Sequence, residues 1–280
     1  MIRSSMLTMG FLYTASTLHA QDIKLKTVWE SDTTLSVAES ILFDRSRNVL
    51  YVSCVNGQAT NENSKSFIAK VGLDGRVIDL NFTENLNATK GMCLWGDKLF
   101  VTEMRQVVEI DLTTGKVVKR YPVEGAVFLN DLALDSATGS IYITDSGTEQ
   151  LSVLHNGETK VVGEGAAFKQ MNALLLEGTN LLIGSVAGTF SSLDLKTAKL
   201  TPVAVLASGI DGITALGNNS YLLAETAGRL WHLRADGTKL LLSDTSKDNI
   251  SAADTDYDPT THMVYVPTLF HNTIRAIKLQ

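Results

Sequence analysis

The chain has 280 residues, a formal net charge of −6 and 44% hydrophobic residues, so it can bury a large core and does not have a composition typical of disorder. Acidic residues are spread along the sequence and no block of Lys and Arg occurs, which argues against a nucleic-acid partner. The 21 glycines mostly separate short apolar runs, and this pattern favours a protein with many tight turns.

The first twenty residues resemble an export signal. Arg3 gives a short basic start, an uncharged run follows, and Ala20 is a plausible last residue before cleavage, although Leu18 is larger than usual for its position. The alternatives are an uncleaved anchor or a misassigned start, but the run is short and rich in Ser and Thr for a span of about 20 apolar residues. We expect a signal peptide at 1–20 and one periplasmic or secreted domain at 21–280, without membrane contact after cleavage.

The only two cysteines are Cys54 and Cys93. In an oxidising compartment they could pair, but their number alone does not establish suitable geometry. Cys93 lies in an apolar run, so a buried free thiol is an equal alternative. Neither has a histidine nearby in sequence, and the spacing gives no support to a zinc site.

The rest of the sequence repeats a pattern about 40 residues long. Six apolar segments open the repeats, and in chain order they read ESILFD, KGMCLW, NDLALD, NALLLE, DGITAL and ADTDYD. Each is followed by a second apolar run, a third, a tight turn and a fourth short run. Turn glycines 75, 115, 157 and 237 are consistent with left-handed turns. Four antiparallel strands at this period predict an all-β, six-bladed propeller.

The sixth repeat ends at Gln280 directly after its third strand. Residues 23–30, IKLKTVWE, form an additional strand before the first repeat. We therefore predict that this N-terminal strand completes blade six and closes the ring, which removes an exposed sheet edge.

In a propeller, the first strand of each blade lines the central channel. The residues that open these six strands are Glu39, Lys90, Asn130, Asn172, Asp211 and Ala253. Four of them are oxygen donors: Glu39, Asn130, Asn172 and Asp211. Two carboxylates and two amides suit Ca²⁺, with Mg²⁺, Mn²⁺ or Zn²⁺ as alternative ions. The competing interpretation is a hydrated polar channel mouth or simple capping of strand starts.

At these segments the chain resembles the calcium-dependent six-bladed propellers that include gluconolactonases with the senescence-marker protein, paraoxonases and diisopropyl-fluorophosphatase. The resemblance rests on AESILFD, LNDLALD, MNALLLE, GIDGITAL and the closing ADTDYDPTTHMVYVPTLFHNTIRAIKL, and it covers essentially the whole mature chain. In that family a Glu, one or two Asn and an Asp at these strand starts hold the catalytic calcium. The matching positions here are Glu39, Asn130, Asn172 and Asp211.

The sequence also departs from the family pattern. Some members hold a second calcium through acidic residues after the first Glu and the first Asn; Asp131 fits the latter position, but Ser40 occupies the former. Asp131, one residue off the ring, should point to the other side as a support residue or second-site remnant. No histidine opens an inner strand. Lys90 either orients an anionic substrate and stabilises an oxyanion, or extends out of the channel mouth.

Further polar residues end the second strands: Cys54, Glu103, Asp145, Ser185, Glu225 and Thr268. The three acids among them could reach a substrate or support metal ligands. The preferred interpretation is that they accept hydrogen bonds from turn amides.

These observations give two functional hypotheses. The first is a calcium-dependent hydrolase of a lactone or related ester, with Asp211 as base or nucleophile, Lys90 as a second catalytic group and a small-molecule substrate at the channel mouth. The second is a non-catalytic propeller that calcium stabilises and that binds a small ligand or a protein partner.

Overall fold

The computed structural model describes residues 23–60 and 62–280, so the expected signal peptide at 1–20 lies outside the described residues. Apart from two short 3₁₀ helices at Ala166–Phe168 and Ser246–Asp248, the described elements are all β-strands. Within these residues, no helix has the length and apolar character needed to cross a membrane.

Twenty-four strands in the described residues form six four-stranded antiparallel sheets. Five sheets are consecutive in sequence, and each blade is defined here by its strands in order. Blade one contains β2 (Ala38–Asp44), β3 (Val49–Cys54), β4 (Ser66–Gly72) and β5 (Val77–Leu86). Blade two contains β6 (Met92–Trp95), β7 (Lys98–Thr102), β8 (Gln106–Asp111) and β9 (Val117–Pro122). Blade three contains β10 (Leu129–Asp135), β11 (Ser140–Asp145), β12 (Gln150–His155) and β13 (Glu158–Glu164).

Blades four and five repeat this order. Blade four contains β14 (Met171–Glu177), β15 (Asn180–Ser185), β16 (Thr189–Asp194) and β17 (Lys199–Val205). Blade five contains β18 (Ile210–Gly217), β19 (Ser220–Glu225), β20 (Arg229–Leu233) and β21 (Lys239–Asp244). The predicted six-bladed propeller is confirmed.

Blade six joins the two ends of the chain. It contains β22 (Asp256–Asp258), β23 (Met263–Pro267), β24 (Ile274–Leu279) and, as its outer strand, β1 (Leu25–Glu30). Lys24 and Gln280 exchange two backbone N–H···O bonds of 2.9 Å, and the Trp29 indole donates to Leu73 O of blade one at 2.8 Å. The predicted closure by the N-terminal strand is therefore confirmed.

The hydrophobic core lies between neighbouring blades. Tyr51 and Ile68 of blade one pack in one cluster with Leu99 and Val108 of blade two, and all four are buried. The turn glycines have positive φ, and Gly115 shows why: a Cβ there would lie 2.1 Å from Phe82 O of blade one. Burial between blades makes each blade depend on the next.

Two inner strands begin later than the sequence predicted. Lys90 precedes β6 and Ala253 precedes β22, so these two residues lie in the approach to a strand. Before β6, Gly91 packs against blade three, where a Cβ would lie 2.3 Å from the Asp131 carboxylate. Before β22, Asp254 bridges in parallel to Ser40 of blade one. In both places backbone pairing within the blade persists, from Lys90 N to Thr102 O and from Ala253 N to Pro267 O, both at 3.1 Å, and contact with a neighbouring blade is added to it.

Candidate functional site

The four predicted metal ligands all occupy buried positions at or next to the start of an inner strand. Glu39, Asn130, Asn172 and Asp211 are the second residues of β2, β10, β14 and β18, and their exposed fractions are only 6–8%. These inner strands contact their neighbours in turn around the ring, so their equivalent residues converge on one end of the channel.

Hydrogen bonds fix the amides of this ring. Asn172 Nδ2 donates to Asp211 Oδ1 at 2.6 Å, which joins blades four and five directly. Asn130 Nδ2 donates to Ser146 Oγ at 3.1 Å, and Ser146 Oγ donates to Met171 O at 2.6 Å, which joins blades three and four. Because each amide nitrogen faces an acceptor, its oxygen is directed elsewhere.

The carboxylates of the ring are held where ionisation is unfavourable. Burial raises the pKa of Asp211 to about 6, although the hydrogen bond from Asn172 lowers it. Burial raises the pKa of Glu39 well above its usual range, and the nearby carboxylates of Asp211 and Asp131 raise it further. The positive charge of Lys90 acts in the opposite direction and lowers the pKa of Glu39. The effect of the Asp211 carboxylate on the pKa of Glu39 indicates that these two acids lie near each other.

The residues present fit an oxygen-ligated cation. Glu39 Oε2 and Asn172 Oδ1 are buried, and neither has a hydrogen-bond partner among the described residues. Such an orphaned acceptor costs about 1–3 kcal/mol, and more if it is charged. No group of three or more His, Cys, Asp or Glu side chains in residues 23–60 and 62–280 has the arrangement of a metal site. The predicted set of metal ligands is of a different kind, because it combines two carboxylates with the oxygens of two asparagine amides.

Lys90 is buried beside this ring and does not extend out of the channel mouth. It is 1% exposed, its Nζ donates to Ala88 O at 2.8 Å, and Nζ lies 4.2 Å from the centre of the Phe128 ring. Burial lowers the pKa of Lys90 to about 8, although the carboxylates of Glu39, Asp145 and Glu103 raise it. The amine is thus a buried donor within the electrostatic field of Glu39.

Asp131 and Asp254 add two carboxylates next to the ring. Asp131 accepts backbone N–H bonds from Leu132 at 2.7 Å and from Leu174 of the next blade at 2.6 Å. Asp254 Oδ2 accepts from Ser40 Oγ at 2.6 Å. Sequence reasoning identified Asp131 but missed Asp254, whose only signal was the acidic run ADTDYD.

The acids that end the second strands accept hydrogen bonds from loop amides, as the preferred interpretation has it. Asp145 binds the amides of Val127 and Phe128 at 2.9 and 3.0 Å. Glu103 accepts from Asn87 N at 2.9 Å, and Glu225 accepts from Ser208 N at 2.8 Å. Each acid therefore fixes the loop that enters the inner strand of its own blade.

The cysteines and the other second-strand ends are also buried. Cys54 and Cys93 are free thiols, and burial raises the pKa of both. Ser185 Oγ accepts from Thr189 N at 3.0 Å, and Thr268 Oγ1 donates to Thr273 O at 2.7 Å. These contacts close the turns between second and third strands.

Comparison with solved structures identifies other proteins with this architecture. A gluconolactonase from Xanthomonas campestris, XC5397, superposes with a TM-score of 0.71 at 15% identity, covering 92% of this chain and 90% of its own. Streptogramin B lyase superposes with a TM-score of 0.68 at 10% identity, covering 92% of this chain and 98% of its own. The resemblance in fold is confirmed.

The comparisons do not select one activity. An auxiliary nutrient-binding protein from Bacteroides thetaiotaomicron also superposes with a TM-score of 0.68 at 12% identity, over 92% of this chain and 76% of its own. No protein-family model and no curated protein matches the sequence. At these identities the likeness shows the fold alone, and function must be argued from the site.

Proposed function

We propose that the protein is an exported calcium-dependent hydrolase of a lactone or a related ester. The observation that carries the proposal is the pair of orphaned buried oxygens, Glu39 Oε2 and Asn172 Oδ1, within the set of residues chosen from the sequence as metal ligands. Acceptor-only oxygens from two carboxylates and two amides match the chemistry of Ca²⁺. Mg²⁺, Mn²⁺ and Zn²⁺ are the alternative ions.

Glu39, Asn130, Asn172 and Asp211 would hold the ion. When bound, such an ion polarises a carbonyl oxygen and lowers the pKa of a coordinated water. The gluconolactonase among the structural neighbours supports a hydrolase-like propeller, and the lactone substrate is our extension of that likeness to this chain.

Asp211 would act as the general base or nucleophile. In the metal-free protein burial raises the pKa of Asp211 to about 6, so its carboxylate is ionised at neutral pH and can bind a cation or accept a proton. The 2.6 Å bond from Asn172 engages Oδ1 and orients the group. This leaves Oδ2, with its two lone pairs, for the ion and for proton abstraction or direct attack.

Lys90 would bind negative charge that develops on the substrate oxygen. Its hydrogen bond to Ala88 O and its contact with Phe128 hold the amine in place, and within residues 23–60 and 62–280 no salt bridge neutralises it at short range. A preorganised cation in a site of low polarity stabilises an oxyanion more strongly than it would in water.

The test is turnover of a panel of lactones and aryl esters in calcium and in chelator. We expect chelator-sensitive turnover that Asp211→Asn reduces at least about 100-fold, whereas Asp248→Asn, the same change at an exposed position, leaves it unaltered. Turnover that survives both chelator and Asp211→Asn contradicts the proposal. Mass spectrometry of the exported protein tests cleavage after Ala20.

A second candidate is a binding protein without catalysis. The nutrient-binding protein among the structural neighbours and the low exposure of the ring residues favour it. In that case chelator lowers the melting temperature, and no member of the panel is turned over.

A further inference from the structure

A cavity of about 470 Å³ lies along the channel, on the side of the ring toward which the inner strands run. Its lining includes none of the four proposed metal ligands. At the end near the ring, Asp131 and Leu132 are buried, whereas Gly217 and Pro259 at the other end are exposed. The cavity therefore opens to solvent where the inner strands end, and its volume is within the range of small-molecule sites.

Leucine side chains line this cavity on most sides. Blades one to five each contribute one half-buried leucine from the inner strand, and blade six contributes Tyr257. In blade order the leucines are Leu42, Leu94, Leu134, Leu175 and Leu216. Because these side chains come from successive blades, apolar surface lies around most of the channel axis. A molecule that covers this surface removes it from water, which is favourable.

The polar side chains of the walls already have partners within the protein. Asp131 and Asp256 each accept two backbone N–H bonds, one on each carboxylate oxygen. The Oγ1 atoms of Thr214 and Thr255 are 2.7 Å apart and bond to each other, and Asp254 accepts from a serine hydroxyl of blade one at 2.6 Å. A ligand in this cavity therefore gains more from apolar contact than from new hydrogen bonds.

The open end of the cavity holds charges of both signs. Arg45 is exposed, and its guanidinium donates to Tyr257 O at 2.8 Å. Burial raises the pKa of Asp256, while its backbone hydrogen bonds and the charge of Arg45 lower it, so the charges of these two side chains lie near each other. A charged head group would meet a like charge as well as an opposite one, so an uncharged polar head suits this end best.

We propose that this cavity binds a small aliphatic molecule with an uncharged polar head, such as a medium-chain alcohol. The chain extends along the channel axis and packs against the five leucines, and the head lies at the open end beside Arg45. Apolar contact supplies the affinity, so the site depends neither on calcium nor on the proposed hydrolase activity, and either proposal can fail without the other.

The probes are 1-butanol, 1-hexanol and 1-octanol, titrated calorimetrically into the full chain. Since each added CH₂ group removes a similar apolar area from water, we expect the affinity to rise at least about 5-fold for each pair of carbons. Octanoate and octylamine should each bind at least about 5-fold more weakly than 1-octanol. No binding of 1-octanol, an affinity that does not change with chain length, or a charged analogue that binds as tightly as the alcohol overturns the proposal.

Variants locate the site. Leu216→Trp places a larger side chain in the wall that blade five contributes, and it should weaken binding of 1-octanol at least about 10-fold. Leu94→Trp makes the same change in blade two, and it tests the cavity even if Leu216→Trp does not fold. Leu241→Trp, at an exposed leucine outside the cavity, is the matched control and should leave the affinity unaltered. Unchanged affinity in either folded cavity variant, or an equal loss in the control, refutes this location.

Discussion

Replacing Asp211 by asparagine should stabilise the metal-free protein at neutral pH. Burial raises the pKa of this carboxyl from 3.8 to about 6, so the folded state holds the protonated form more readily than the unfolded chain does. Its contribution to stability is fully present below about pH 4 and is lost as pH rises through about 6. Above that range wild type carries the cost of a buried charge, and asparagine does not.

The magnitude follows from the pKa difference. A difference of about two pH units corresponds to ~3 kcal/mol above both values, which for a domain of this size raises Tm by about 6–10 °C. Asparagine can still accept the hydrogen bond from Asn172 Nδ2, so the change removes charge and little else.

The assay is thermal unfolding in chelator at pH 4 and pH 8, with Asp248→Asn as the exposed control. In chelator we expect Asp211→Asn to have a higher Tm than wild type at pH 8 but not at pH 4. In excess calcium we expect wild type to have the higher Tm, because it alone gains the full free energy of calcium binding. A variant that is no more stable than wild type in chelator at pH 8 refutes the buried-charge reasoning.

Three other changes test separate parts of the structure. Lys90→Met should raise calcium affinity by calorimetry, because it removes a cation beside Glu39, and lower turnover at least about 10-fold; weaker calcium binding contradicts this role. Asp145→Asn should lower the free energy of unfolding in urea by about 2–3 kcal/mol, since an amide cannot accept from every loop N–H that it faces; a loss below about 0.5 kcal/mol refutes it. Removing Leu25–Glu30 should expose the edge of β24 and cause aggregation in light scattering; a stable monomer contradicts closure by that strand.

The sequence predicted the fold well because its repeat is local. Short apolar runs mark each blade in the sequence and a turn glycine marks four of the six, and Gly115 shows how strictly such a turn needs that residue. The same reasoning placed Lys90 and Ala253 inside strands, whereas in the structure both lie just before the strand, where contacts between blades are added. Contacts of that kind join residues far apart in the chain, and a repeat pattern contains no information about them.

The candidate site was predicted only in part for the same reason. Glu39, Asn130, Asn172 and Asp211 share a repeat position, so aligning the repeats sufficed to find them. Asp254 lies outside that position. Its bond to Ser40 spans 214 residues, and only the closed ring brings the two together.

Calcium binding by the purified mature protein tests the central proposal most directly. After chelation and dialysis, calorimetric titration should show about one calcium per chain, and Asp211→Asn should abolish or strongly weaken that binding while Asp248→Asn retains it. Absence of calcium binding to the folded wild type, or equal binding by Asp211→Asn, contradicts the assignment of Glu39, Asn130, Asn172 and Asp211 as its ligands.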